Sequence, residues 1–285
     1  MQGRVLVSDA ADGLLTSHAL IDLTEIDRVQ MQGRPGYIYT RNGCVYIADG
    51  AAIARLRGDT LQPDFEYAAG EDIERILISH DGSRLWALLG GADTLLMMDA
   101  YSGEWLMSAP VGSHPRDLRL DRSGRYLIAA GGDTGTVVVL EADTLIKQAE
   151  YAVDGPAVGA FFAIDGVVIL SETGDYEPFA QVGVYTKTGE FERLFLLPGI
   201  PTCFSMAMNG LIVGHLNAMT MLNLQHREVR WRINVQGLPD LITPAGRLAC
   251  YMDRLTGRLG VIDCFQPTLM TVLRKPDPTG IAYLI

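Results

Sequence analysis

Across most of this 285-residue chain a stretch of about 42 residues recurs. It is clearest where Ser79 to Gly112, SHDGSRLWALLGGADTLLMMDAYSGEWLMSAPVG, is followed by Asp121 to Leu145, DRSGRYLIAAGGDTGTVVVLEADTL. Both copies run turn, strand, turn, strand, turn. A small sheet of this kind cannot bury both of its faces until neighbouring sheets cover them, so a repeat of this length predicts the blades of a β-propeller.

Repeats open near Pro35, Glu71, Ser113, Pro156, Ile200, Leu238 and Pro278. The last opening leaves only PTGIAYLI, one strand, while residues 1–34 supply three strands that lack a first. The two ends complete each other. Pairing 278–285 beside 1–34 predicts an all-β, seven-bladed β-propeller with blades at 278–285 plus 1–34, 35–70, 71–112, 113–155, 156–199, 200–237 and 238–277, a closed ring that removes the open edges a linear array would expose. No Gly/Ser/Pro-rich linker or charge block divides the chain, so a single domain over 1–285 is expected.

Within a blade, RYLIAA (Arg125–Ala130) and TVVVLEA (Thr136–Ala142) are dense in aliphatic and β-branched residues, as strands sandwiched between two sheets must be. DGS at 81–83, RSG at 122–124, YSG at 101–103, KTG at 187–189 and LTG at 255–257 supply turn chemistry between them. These glycines serve the backbone. A phosphate cradle would need a helix N-terminus behind them, and the pattern predicts none.

The quoted repeats resemble the YVTN-type β-propeller family, whose unit reads as a Pro-containing opening, a DG or SG turn, an aromatic-containing strand, a Thr-hydrophobic strand ending in Asp, and a closing TG…VG. The likeness is good over 71–155, recognisable over 238–277 and weaker over 1–70 and 200–237. Ala87-Leu88-Leu89 and Ile128-Ala129-Ala130 stand where the family carries Val-Thr-Asn, so the resemblance lies in architecture. It implies a propeller that serves as a binding platform and sometimes carries an enzyme such as a lactonase.

A net charge of −11, with no cluster of Lys and Arg, argues against nucleic acid, whose phosphates reward clustered cations with counterion release. HREVRWR at 226–232 alternates charge with Val229 and Trp231, as the outer face of an edge strand does. Cys44, Cys203, Cys250 and Cys264 lack metal-ligand spacing and read as buried free thiols of a reduced cytoplasm, with a Cys250–Cys264 disulfide as the alternative. The opening MQGRVLVSDA has no apolar signal-peptide core, and no run approaches a membrane span, so a cytoplasmic, soluble chain without a membrane partner is expected.

Propellers bind ligands where the loops before each innermost strand meet those joining second and third strands. Here those loops carry Asp9, Asp12, Asp49, Glu71, Asp72, Asp93, His114, Arg116, Asp133, Asp154, Glu172, His215, Asn217, Asp240, Asp253 and Arg254, which predicts an acidic mouth. Asp and Asn are also ordinary turn residues. SETGDYEPFAQ at 171–181 is longer than its counterparts and brings Asp175, Tyr176, Glu177 and Phe179, a set suited to a basic or sugar-like group or to a protein surface. His18, His80 and His226 read as surface residues.

The expected function is a non-catalytic recognition scaffold that takes a protein or a small polar or basic ligand on these residues. The alternative is a metal-dependent, lactonase-like hydrolase or lyase, in which His114, His215, Glu172 and Asp253 would hold a divalent cation. No G-x-S-x-G or HExxH motif occurs, and no attachment motif implies haem or a quinone, so no other cofactor is expected.

Overall fold

The computed structural model describes residues 3–164, 166–173, 178–207 and 210–284. Along the chain come β1 (Arg4–Asp9), β2 (Leu14–Ala19), β3 (Glu25–Gln30), then β4 (Pro35–Arg41), β5 (Cys44–Asp49), β6 (Ala52–Arg57) and β7 (Pro63–Ala68). Next are β8 (Ile73–Ile78), β9 (Arg84–Leu89), β10 (Thr94–Asp99), β11 (Trp105–Pro110), β12 (Pro115–Leu120), β13 (Tyr126–Gly131), β14 (Thr136–Glu141) and β15 (Lys147–Ala152). Then follow β16 (Ala157–Ala163), β17 (Gly166–Thr173), β18 (Phe179–Thr186), β19 (Phe191–Pro198), β20 (Pro201–Ala207), β21 (Gly210–His215), β22 (Ala218–Asn223) and β23 (Glu228–Asn234). The last are β24 (Leu241–Ala245), β25 (Leu248–Asp253), β26 (Arg258–Asp263), β27 (Thr268–Arg274) and β28 (Pro278–Leu284). They form seven four-stranded sheets of consecutive strands, except that β28 leads the sheet β28-β1-β2-β3. Arg4 sits opposite Leu284 and Val7 opposite Ile281, which is the predicted completion of the first sheet by the last strand.

Contacts divide the chain into two compact units, residues 1–66 with 202–285, and residues 67–201. In the first, alternation along β1 sends Val5 and Val7 into a cluster with Cys250, Met252, Leu259 and Val261, and Leu6 into another with Leu15, Ile38, Val45 and Ile47. A strand buried on both faces must be apolar at successive positions, which is what RVLVSD provides. In the second unit Ile128, Ala130, Val137 and Val139 meet Val167 and Ile169 in the same way. Each such side chain contributes roughly 1.5–3 kcal/mol when fully buried.

Polar side chains reach backbone carbonyls of the next sheet and fix the stacking. In the first unit Thr40 Oγ1 donates to the Tyr283 carbonyl at 2.9 Å and Trp231 Nε1 to that of Cys264 at 2.8 Å. In the second, Trp86 Nε1 donates to the Ala142 carbonyl at 3.2 Å, Tyr67 Oη to Ala100 at 2.8 Å and Tyr185 Oη to Ala152 at 3.0 Å.

The turns before the outermost strands need one left-handed residue. Gly103 serves at φ 74°, yet Leu23, Leu61 and Leu145 adopt φ 56°, 53° and 51° at corresponding places. Those leucines are 5%, 0% and 5% exposed. Burying a leucine outweighs the roughly 1–2 kcal/mol that the left-handed region costs a residue with a Cβ, so the turn doubles as a core anchor.

Candidate functional site

The innermost strands open irregularly. Register slips by one residue at Glu74 in β8, Arg116 in β12, Val158 in β16 and Thr279 in β28, a β-bulge at the same place in these four sheets. A bulge re-aims the side chain it carries. In the 67–201 unit it turns two charged chains over the ends of the neighbouring second strands. A Cβ on Gly90 would lie 2.8 Å from Glu74 Cγ, and one on Gly132 would lie 2.5 Å from Arg116 Nε. At Gly132 the His114 carbonyl, 2.8 Å from such a Cβ, leaves no room for a side chain, whereas at Gly90 the close atoms all belong to the exposed Glu74 side chain.

Beside Arg116 stands His114, held at φ 47° with its N–H donated to Asp93 Oδ1 at 2.8 Å. Its Nδ1 is 2.8 Å from Asp133 Oδ2, and Arg116 Nη2 is 3.6 Å from Asp133 Oδ1. The three side chains are 69%, 51% and 53% exposed in the order His114, Arg116, Asp133. Ser113 Oγ is 3.2 Å from the same Nδ1. Serine and aspartate thus share one ring nitrogen in this arrangement, unlike a relay whose two nitrogens face nucleophile and carboxylate separately. Glu172 opens the extension described next, its N–H donating to the Pro156 carbonyl at 2.9 Å.

Residues 171–181 are mostly hairpin rather than loop. β17, β18 and β19 have eight residues each where β13 and β14 have six, with Glu172 opposite Ala180 and Thr173 opposite Phe179. Asp175, Tyr176 and Glu177 lie outside the described residues.

In the unit of 1–66 with 202–285 the expected site residues tie turns together. His215 and Asp253 are both 0% exposed, so their side chains belong to the interior and not to an open rim. Asp253 accepts from Leu238 N at 3.0 Å, Thr256 N at 3.1 Å and Thr256 Oγ1 at 2.5 Å, and it lies where a Cβ on Gly237 would collide with it. The Arg254 N–H donates to Asp240 Oδ2 at 2.8 Å, and burial holds the Asp240 carboxyl above its ordinary value. Asp9 accepts from Ala11 N and Asp12 N, and Asp49 from Gly33 N. His215 Nε2 is 2.8 Å from Thr220 Oγ1, while Nδ1 is buried without a hydrogen-bond partner; burial lowers its pKa to about 4. His18, expected at the surface, is 1% exposed and spans the Leu23 carbonyl and Thr16 Oγ1, because the turn it closes folds over it.

All four cysteines are free. Burial pushes the Cys250 thiol up to about 12 and that of Cys264 to about 11, so neither is a nucleophile at neutral pH. Among the described residues no three His, Cys, Asp or Glu side chains come together as a metal-holding group, and no helix is long and apolar enough to cross a membrane.

Glu74 was not among the residues expected from the sequence. The signal that marks it is the paired glycine after the second strand, Gly90-Gly91 and Gly131-Gly132, in the two clearest repeats.

Seven four-stranded antiparallel sheets make the chain a seven-bladed β-propeller. No protein-family model and no curated protein matches it. Among solved structures it is similar to a functionally unknown protein from Desulfotomaculum acetoxidans, with a TM-score of 0.82 and 8% identity over 99% of this chain and 98% of that one. A protein from Lactobacillus plantarum gives 0.79 and 15% over 100% of both chains. Hydrazine synthase from Kuenenia stuttgartiensis gives 0.75 and 14% over 89% and 90%. At such identities the likeness shows the fold alone.

Proposed function

We propose that this propeller is a non-catalytic recognition scaffold of the YVTN-like kind, which takes a small polar ligand on the exposed strand ends of the 67–201 unit. The observation that carries the reading is the pair of bulges that lay Glu74 and Arg116 over Gly90 and Gly132, with His114 and Asp133 alongside. Bulges that re-aim side chains accompany functional sites, and four exposed titratable groups on rigid strand ends present hydrogen-bonding capacity that the fold itself does not use. The lengthened β17–β18 hairpin of the same unit supports it, because extra length on one face of a repeat array supplies specificity. The net charge of −11 favours small ligands over nucleic acid.

The test is ligand-observed NMR with a library of small polar metabolites on the wild type and on Arg116→Ala. Compounds bound by the wild type and released by the variant, and recovered unaltered, support the scaffold. Compounds held equally by both proteins, or converted to product, would overturn it.

A further inference from the structure

We propose that Asn42 is a site of spontaneous covalent modification, a deamidation that converts it to aspartate and isoaspartate and loosens the β4–β5 hairpin as the protein ages. Asn42 and Gly43 are the whole connection between Arg41 and Cys44, which face each other across the two strands. Their φ angles, 51° and 72°, are both left-handed, as a tight two-residue hairpin turn demands. Both residues are exposed, and a Cβ built on Gly43 meets nothing within 4 Å.

The reaction has three requirements. The nitrogen of the next residue must reach the side-chain amide carbon, the amide must be free to turn towards it, and the backbone must leave its turn for a moment. Gly43 offers a nitrogen with no side chain to shield it. Among the described residues neither the Gly43 N–H nor the Asn42 amide has a hydrogen-bond partner, and the exposed tip of a hairpin opens locally at low cost. The Gly43 nitrogen then gives its proton to solvent hydroxide and bonds to Asn42 Cγ, the Cγ–Nδ2 bond breaks, and ammonia leaves. Water opens the resulting imide at Cγ to give aspartate, or at the Asn42 carbonyl carbon to give isoaspartate.

The other described asparagines fail these requirements. Asn217 Oδ1 accepts from Gly237 N at 3.0 Å and Asn223 Oδ1 from His226 N at 3.1 Å, while Ala218 and Leu224 follow them. Asn234 precedes the branched, buried Val235. Asn209, which also precedes a glycine, lies outside the described residues. Aspartate at position 42 keeps a sequence suited to the same turn. Isoaspartate instead routes the backbone through its side chain and lengthens the connection by one carbon. A hairpin takes its register from its loop, so Arg41 and Cys44 lose their pairing, and with it the bond from Gly58 N to the Gly43 carbonyl at 2.8 Å.

The test is peptide mapping by mass spectrometry of the full chain, incubated at mildly alkaline pH both folded and in urea, with Asn209 read on its own peptide. In the folded protein Asn42 is expected to turn to acid at least about tenfold faster than Asn217, Asn223 or Asn234, with isoaspartate among its products. Asn42→Gly suits the same turn and carries no amide, so it should keep its melting temperature through an incubation that lowers that of the wild type. An Asn42 that reacts in urea but not in the folded chain would overturn the proposal, because the turn would then hold the reacting groups apart. A wild-type melting temperature unmoved while isoaspartate accumulates at this position would overturn the loosening of the hairpin.

Discussion

At the scale of single residues, the histidines and carboxylates divide by burial rather than by position along the repeat. His215 and His114 both occupy strand ends, yet one is sealed in the interior and the other is two-thirds exposed. For His215 the pKa is near 4 in the folded chain against an ordinary 6.5, because burial and the nearby Arg232 disfavour the charged ring. The unfolded chain thus takes up a proton that the folded one refuses. The stability this confers is complete above pH 6.5 and declines as pH falls from 6.5 towards 4, by at most about 3 kcal/mol. Urea unfolding at stepped pH should show that decline, and His215→Gln should flatten it; a wild-type curve already flat over the window would contradict the assignment. Neither burial state was legible in the sequence. A strand-end histidine reads the same whether or not the next sheet closes over it.

At the scale of the strand and sheet, bulges recur at both margins of the blade. Innermost strands bulge at Glu74, Arg116, Val158 and Thr279, and outer strands slip at Ile26, Leu106, Gln148, Leu194, Arg230 and Met270. The outer set twists an edge that would otherwise template another chain; the inner set aims side chains. Between the margins, sheets are pinned by buried donors, of which Trp86 Nε1 on the Ala142 carbonyl is fully enclosed. Trp86→Phe removes the donor, orphans the carbonyl and leaves a small void, so a loss of about 2–3 kcal/mol is expected in chemical denaturation with an unchanged circular dichroism spectrum. A loss below about 0.5 kcal/mol would show that the pin is ornamental. Turn and strand order in these elements was readable from Asp/Gly/Ser spacing and aliphatic runs. The bulges were not, because a one-residue slip changes no residue type; it is dictated by what the adjoining sheet can accept.

At the scale of the whole molecule, the chain depends on its last strand. Ile281, Ala282 and Leu284 are buried beside β1, and Thr279 Oγ1 donates to the Pro35 carbonyl at 2.5 Å. Ending the chain at Asp277 would uncover Val5, Leu6 and Val7 and lose about 5 kcal/mol or more from the apolar side chains alone, a large share of the stability an ordinary domain possesses. Thermal melts should show the 1–66 and 202–285 unit losing cooperative unfolding, and a truncated chain that melts like the intact one would contradict this account. That closure was countable beforehand, because three strands at one end and one at the other fit only a shared sheet. Sequence by itself determined the architecture: strand number, blade order and the pairing of the ends follow from a repeat whose faces cannot be buried alone. Only the tertiary structure decided which polar residues are interior and which are displayed. Asp253 and Asp133 look alike in a loop, but one is enclosed by Leu238 and Thr256 while the other faces His114 and Arg116 on an open surface, since burial is set by residues distant in the chain that no local pattern reports.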